Sequence, residues 1–276
     1  MTDRRLTPAN GRIAHLSLKG QVRADAYVPG EWARVIVPLA NLLRSPDGPR
    51  DRQLLLGDRV LVLETRGRHA FVQAQKDGYC GYLALAVVGA DVTPTHWVTA
   101  PATHLYATAS IKHQEICSLS LGARLTIIAE SAKFFETSDG VFVPRQHLLP
   151  VTETLDDPAH VAEMFFGTPY LWGGNSRAGI DCSGLVQAAL LACGIACPGD
   201  SDQQFGALGR GLSPDESYRR GDLFFWKGHV AMAVDERRII HANGYCMAVS
   251  YEGIADAIAR IADEDGSAAF LGIRRL

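Results

Sequence analysis

Short runs of alternating or β-branched apolar residues fill the first half of the chain. Residues 57–64 (Gly-Asp-Arg-Val-Leu-Val-Leu-Glu) and 69–75 (His-Ala-Phe-Val-Gln-Ala-Gln) read as strands, Lys76-Asp77-Gly78 as a turn, and Tyr79-Cys-Gly-Tyr82-Leu as a third strand. The same order returns at 122–129, 133–137, Asp139-Gly140 and 141–144, which predicts a repeated small β module. The pattern changes at 152–158, where acidic residues and proline precede a helix-like stretch over 159–166. Asp181 then stands as an N-cap ahead of an apolar run to Ala192, so Cys182 falls at a helix N-terminus. Residues 198–216 read as a polar loop. The runs 221–226, 228–234, 238–242 and 268–274 read as strands, giving helices followed by an antiparallel sheet.

A chain of 276 residues with 47% hydrophobic and 21% charged positions is long enough for two domains, or three small ones. The net charge of -3 argues against a nucleic-acid binder with a basic face. That charge is unevenly placed. Residues 1–150 hold 17 basic and 13 acidic side chains, whereas 151–276 hold 10 and 17. No apolar run of signal-peptide length opens the sequence and none approaches the roughly 20 residues of a membrane helix, so a cytoplasmic protein is expected. Six scattered cysteines suit reduced, packed thiols. Cys193 and Cys197 lack a second ligand pair, so no metal is expected.

Cys182 is the candidate for chemistry. A helix N-terminus presents unpaired N–H groups that favour a thiolate, and Asp181, Ser183 and Gly184 suit a site reached by substrate better than a buried seam. His229 and His241 flank a hairpin turn near Asp235 and share a face if the loop has an odd number of residues. A thiol, an imidazole base and a group that orients the imidazole make up the apparatus of Cys-His acyl transfer.

Three blocks resemble the NlpC/P60 cell-wall peptidases, a branch of the papain-like cysteine peptidases. They are Pro169-Tyr170-Leu-Trp-Gly-Gly174, Gly179-Ile-Asp-Cys182-Ser-Gly184, and Gly221-Asp-Leu with His229-Val-Ala-Met-Ala-Val and Ile240-His241-Ala. The resemblance implies an α+β fold: a papain-like catalytic domain at 152–276, with helices packed on an antiparallel sheet. Two small SH3-like β-barrels at 23–91 and 92–151 and an N-terminal extension at 1–22 would precede it. It implies Cys182 as nucleophile, His229 as general base and His241 as its orienter. The substrate it implies is a peptidoglycan stem peptide, cut between γ-D-glutamate and a diamino acid when its L-alanine amine is free. No cofactor is implied.

The resemblance also assigns substrate-binding positions. Asp181 and Ser183 flank the nucleophile, Tyr170 matches an aromatic near the oxyanion position, and Ser201 matches a pocket serine. Tyr79 and Asp51 match a tyrosine and an acid contributed by the first SH3-like module, with Tyr82 the rival to Tyr79. Asp51 departs from the family pattern, which has glutamate there, and reaches one methylene less far. Two other functions compete: a Cys-His amidase or acyltransferase acting on another acyl group, and a non-catalytic binder of cell-wall peptides.

Overall fold

Both Asp-Gly pairs turn the chain as their residues require, with Gly78 and Gly140 at φ of 74° and 75°, a region that costs glycine little. The computed structural model describes residues 3–213 and 215–276 and separates into two units, one ending at Glu153 and the other spanning Thr154–Leu276.

In the first unit an antiparallel sheet of seven strands runs in the order Arg50–Leu55, Leu39–Leu43, Cys80–Ala84, His69–Ala74, Arg59–Arg66, Glu31–Val35 and Val88–Ala90. Its inward positions, among them Val35, Leu42, Val60, Val72 and Leu83, form one apolar core. The segment ahead of it is packed, not loose. Ile13–His15 pairs in parallel with Ala26–Val28, and Ile13 and Val28 cover Leu61, Leu63 and Phe71. Residues 96–150 build a five-stranded sheet and a three-stranded one around Val98, Leu119, Leu125 and Val143. Leu55 and Leu56, from the first sheet's segment, complete this second core.

The second unit holds a six-stranded antiparallel sheet whose main strands are β1 (Leu223–Trp226), β2 (His229–Ala233), β3 (Arg238–Asn243), β4 (Ala248–Gly253) and β5 (Phe270–Arg275). Its order is Arg210–Gly211, β5, β1, β2, β3, β4. All four residues of β1 are buried, as an apolar run inside a sheet should be. The helices are α1 (Pro158–Glu163), α2 (Cys182–Ala192), α3 (Ser201–Ala207) and α4 (Ile254–Asp265). Asp157 caps α1 by accepting from Ala159 N at 3.0 Å, with Pro158 supplying the preset φ of a first helical residue. Helix α4 places Ile254, Ala257 and Ile261 at helical spacing against Phe224, Trp226, Ala231 and Ile239; each buried isoleucine contributes about 1.5–3 kcal/mol. Thus α3 occupies part of the expected polar loop, while β4 and α4 fill a stretch to which the sequence pattern assigns no element.

Candidate active site

Helix α2 begins at Cys182 because Asp181 caps it. Asp181 Oδ1 accepts from Gly184 N at 2.6 Å and from the Ser183 hydroxyl at 3.1 Å, and Oδ2 accepts from Gly173 N at 2.8 Å. The resemblance assigns Asp181 to substrate binding; in the structure its carboxylate is engaged by the cap. Gly184 is needed for a close approach, since a Cβ there would stand 2.5 Å from Gly174 O and 3.0 Å from Asp181 Oδ1. The Asp-Cys-Ser-Gly block thus encodes a helix start pinned to the loop before it.

The Cys182 thiol is buried, with Sγ 4.0 Å from the carbonyl oxygen of Gly228, the residue before His229. Burial pushes the thiol up to about 12, and Asp181 adds to the rise. This corrects the expectation of a lowered thiol pKa. Backbone N–H groups of Val230, Ser183 and Cys182 face the sulfur and favour its anion, but desolvation outweighs them. The resting site therefore holds a neutral thiol.

β2 and β3 form the hairpin that carries the imidazoles. Met232 lies opposite Ile240, Ala233 lies opposite Ile239, and Val234 N donates to Arg238 O at 2.9 Å, which leaves the three-residue loop 235–237. That odd count puts His229 and His241 on one face. Asp235 stabilises the loop by accepting from Arg237 N and Arg238 N, both at 2.8 Å. His229 Nε2 lies 2.9 Å from Nδ1 of the fully buried His241. Burial, reinforced by His241, lowers His229 to about 3, so it is a neutral base with its second nitrogen, Nδ1, unused by His241. His241 Nε2 in turn lies 3.1 Å from Glu252 Oε2.

The other expected residues sort by unit. Tyr170, half-buried, feels the charges of Cys182 and Asp181, and its hydroxyl is pushed up to about 12 chiefly by burial. Ser183 is buried in the first turn of α2, and Ser201 opens α3, half-buried. In the first unit Tyr79 is 2% exposed and belongs to the apolar core, while Tyr82 packs on Phe71 with ring centroids 5.1 Å apart. Asp51 is ion-paired to Arg4 at 2.8 Å and to Arg44 at 3.1 Å, so its carboxylate already meets two guanidinium groups.

Sequence reasoning misses three residues around the site. The side chain of Gln204, fully buried in α3, donates through Nε2 to Ser183 O and Pro198 O, each at 3.0 Å, and so ties α3 to the start of α2. The Asp200/Gln203 capping box is the local signal for that helix. Glu252 and Arg260, on β4 and α4, pair with each other through two hydrogen bonds of 2.9 Å. Only the spacing of Ile254, Ala257 and Ile261 announces α4, and no sequence signal ties Glu252 to His241.

Comparison with known proteins matches residues 167–260 to the NlpC/P60 family and residues 42–87 to the bacterial dipeptidyl-peptidase Sh3 domain. A gamma-D-glutamyl-L-lysine dipeptidyl-peptidase of Bacillus cereus is 30% identical over 227 residues, covering 70% of this chain and 67% of that protein. The protein of the same name from Bacillus subtilis is 31% identical over 216 residues, with 69% and 71% covered. The crystal structure of an NlpC/P60 family protein from Bacillus cereus superposes with a TM-score of 0.74 at 22% identity, over 89% of this chain and 99% of that one, a likeness of fold.

Proposed function

The chain belongs to the NlpC/P60 family of peptidoglycan peptidases, and from that premise we propose that it is a cysteine peptidase cleaving stem peptides between γ-D-glutamate and a diamino acid. Its preferred substrates carry a free N-terminal L-alanine, a group exposed only once the peptide has been released from its glycan. The observation that carries the reading is that one unit holds the capped Cys182, its Sγ 4.0 Å from the carbonyl oxygen of Gly228, and the 2.9 Å contact of His229 with His241, in a chain about 30% identical to two relatives named for that dipeptidyl-peptidase activity.

The chemistry follows from the groups. His229 Nδ1 takes the thiol proton as Cys182 Sγ attacks the side-chain carbonyl of γ-D-glutamate, so that thiolate charge forms only as the C–S bond does. The N–H groups that face the sulfur, together with the protonated Tyr170 hydroxyl, stabilise the negative charge of the tetrahedral intermediate. The imidazolium of His229 returns its proton to the departing diamino acid amine. Water, deprotonated by the same nitrogen, then hydrolyses the thioester and restores the thiol. Residues 92–151, whose strand and Asp-Gly order repeats that of 57–83, are read as a second SH3-like module.

Product identification tests the proposal. The full chain is incubated with L-Ala-γ-D-Glu-L-Lys and with the diaminopimelate analogue, beside amides lacking the γ-glutamyl bond. Release of the diamino acid and L-Ala-γ-D-Glu, lost in Cys182→Ala, is expected. Turnover only of the other amides would favour the amidase reading.

A further inference from the structure

The line of polar groups does not end at His241. In the pairing of β3 with β4, His241 lies opposite Ser250 and Ile239 opposite Glu252, which puts Glu252 on the same face as His241, one diagonal step away. Its Oε2 lies 3.1 Å from His241 Nε2, with the ring N–H out of line, so the contact is electrostatic. Glu252 is itself held. Arg260 donates from Nε to Oε1 and from Nη2 to Oε2, each at 2.9 Å, and Arg260 also meets Glu264 at 3.3 Å. Both nitrogens of the fully buried His241 are thus assigned, Nδ1 to His229 and Nε2 to Glu252.

We infer that Glu252, clamped by Arg260, is a positioning residue that sets the proton arrangement of the His229–His241 pair. The inference rests on the reading of Cys182 and His229 as nucleophile and base. With one proton on each ring, two arrangements satisfy the 2.9 Å contact. In one, His229 Nε2–H donates to His241 Nδ1, and His241 carries its own proton on Nε2. In the other, His241 Nδ1–H donates to His229 Nε2, and the remaining proton of His229 sits on Nδ1. Only the first leaves His229 Nδ1 with a lone pair for the thiol proton. A carboxylate attracts N–H and repels a bare ring nitrogen, so Glu252 selects the first. The carboxylate stays charged at working pH because Arg260 holds it down to about 2, while His229 is lowered to about 3 and stays neutral. Glutamine at 252 cannot reproduce this. Both oxygens of Glu252 face donors on Arg260, so the amide nitrogen meets an N–H in either orientation, and one orientation also points a donor at His241 Nε2.

The test is ring ¹⁵N NMR on the full chain labelled at histidine, with the His229 and His241 signals assigned by His229→Gln and His241→Gln. In the unaltered chain both rings are expected to carry the proton on Nε2 and a bare Nδ1; the opposite pattern in either ring overturns the inference without any variant. In Glu252→Gln the pattern is expected to be lost or reversed in both rings, with kcat on L-Ala-γ-D-Glu-L-Lys down about 10- to 100-fold and KM little changed. Glu252→Asp, which keeps the charge, should retain the pattern and recover part of kcat. Glutamine at 252 with an unchanged ring pattern, or with kcat within about twofold of the unaltered chain, overturns the inference. The NMR readout does not depend on turnover. Failure of the unaltered chain to cleave the γ-glutamyl bond would therefore count against the proposed function alone.

Discussion

Replacing Asp181 separates its role as a helix cap from a role in binding the substrate amine. Its carboxylate accepts three hydrogen bonds, from Gly184 N at 2.6 Å, Gly173 N at 2.8 Å and the Ser183 hydroxyl at 3.1 Å, and all three donor residues are buried. Asp181→Ala removes the cap, a loss of about 1 kcal/mol, and strands buried donors whose bonds to a charged acceptor contribute about 1.5–3 kcal/mol each. Water entering the space offsets part of this, so the net expectation is about 3–5 kcal/mol. Asp181→Asn keeps the shape but turns an amide N–H₂ toward either Gly173 N or Gly184 N, costing one bond, or about 2 kcal/mol. Because the chain has two units, a global melt mixes their transitions, and amide hydrogen exchange over residues 182–192 is the better assay. Exchange limited by opening of α2 should be faster by about 30-fold in Asp181→Asn and faster still in Asp181→Ala, with kcat reduced because the cap places Cys182. Unchanged exchange together with a raised KM for amine-bearing peptides would refute the cap argument and favour amine binding.

Three further outcomes follow from the same geometry. Gly184→Ala should destabilise the second unit by about 1–3 kcal/mol despite the better helix propensity of alanine, because the new Cβ meets Gly174 O at 2.5 Å; a stabilised α2 in hydrogen exchange would contradict this. Alkylation of Cys182 by iodoacetamide, followed by peptide mass mapping, should speed up about tenfold per pH unit across about pH 6–9, since the thiol is pushed up to about 12; a plateau at low pH would mean a resting thiolate. Acid should weaken the second unit. His229, lowered from 6.5 to about 3, contributes fully above 6.5, and that stability fades toward pH 3; Glu252, lowered from 4.5 to about 2, loses its contribution between those values. Denaturant midpoints for the second unit, followed from pH 7 to pH 4, should fall, and a rise would reverse the sign of the argument.

The strands around Asp77-Gly78 and Asp139-Gly140 are legible because two local rules agree there, alternation of apolar residues and a glycine at positive φ. The start of α2 is legible for the same reason, with an N-cap and an apolar run in register. Helix α3 is hidden because Ser201-Asp-Gln-Gln buries an amide, Gln204, where the pattern calls for an apolar residue. Helix α4 sets Ile254, Ala257, Ile258 and Ile261 at helical spacing with Asp256, Arg260, Asp263 and Glu264 among them, a pattern present in the sequence to which the strand-led reading of this stretch assigns no element. The site divides likewise. Cys182, His229 and His241 are readable from residue type and hairpin arithmetic. The direction of the thiol shift is not, since a helix N-terminus and burial act in opposite senses and only packing shows which prevails. Glu252 belongs with the unreadable part, because its place beside His241 depends on the register of β3 with β4 and on an arginine from the next helix.

In the proposed mechanism Cys182 carries the acyl group of γ-D-glutamate during turnover. Acid quenching of the full chain during hydrolysis of L-Ala-γ-D-Glu-L-Lys, followed by peptide mass spectrometry, tests it most directly. An L-Ala-γ-D-glutamyl thioester on the peptide containing Cys182, sensitive to hydroxylamine, is expected, with no lysine release by Cys182→Ala. Lysine release by Cys182→Ala at a rate comparable to the unaltered chain would contradict it.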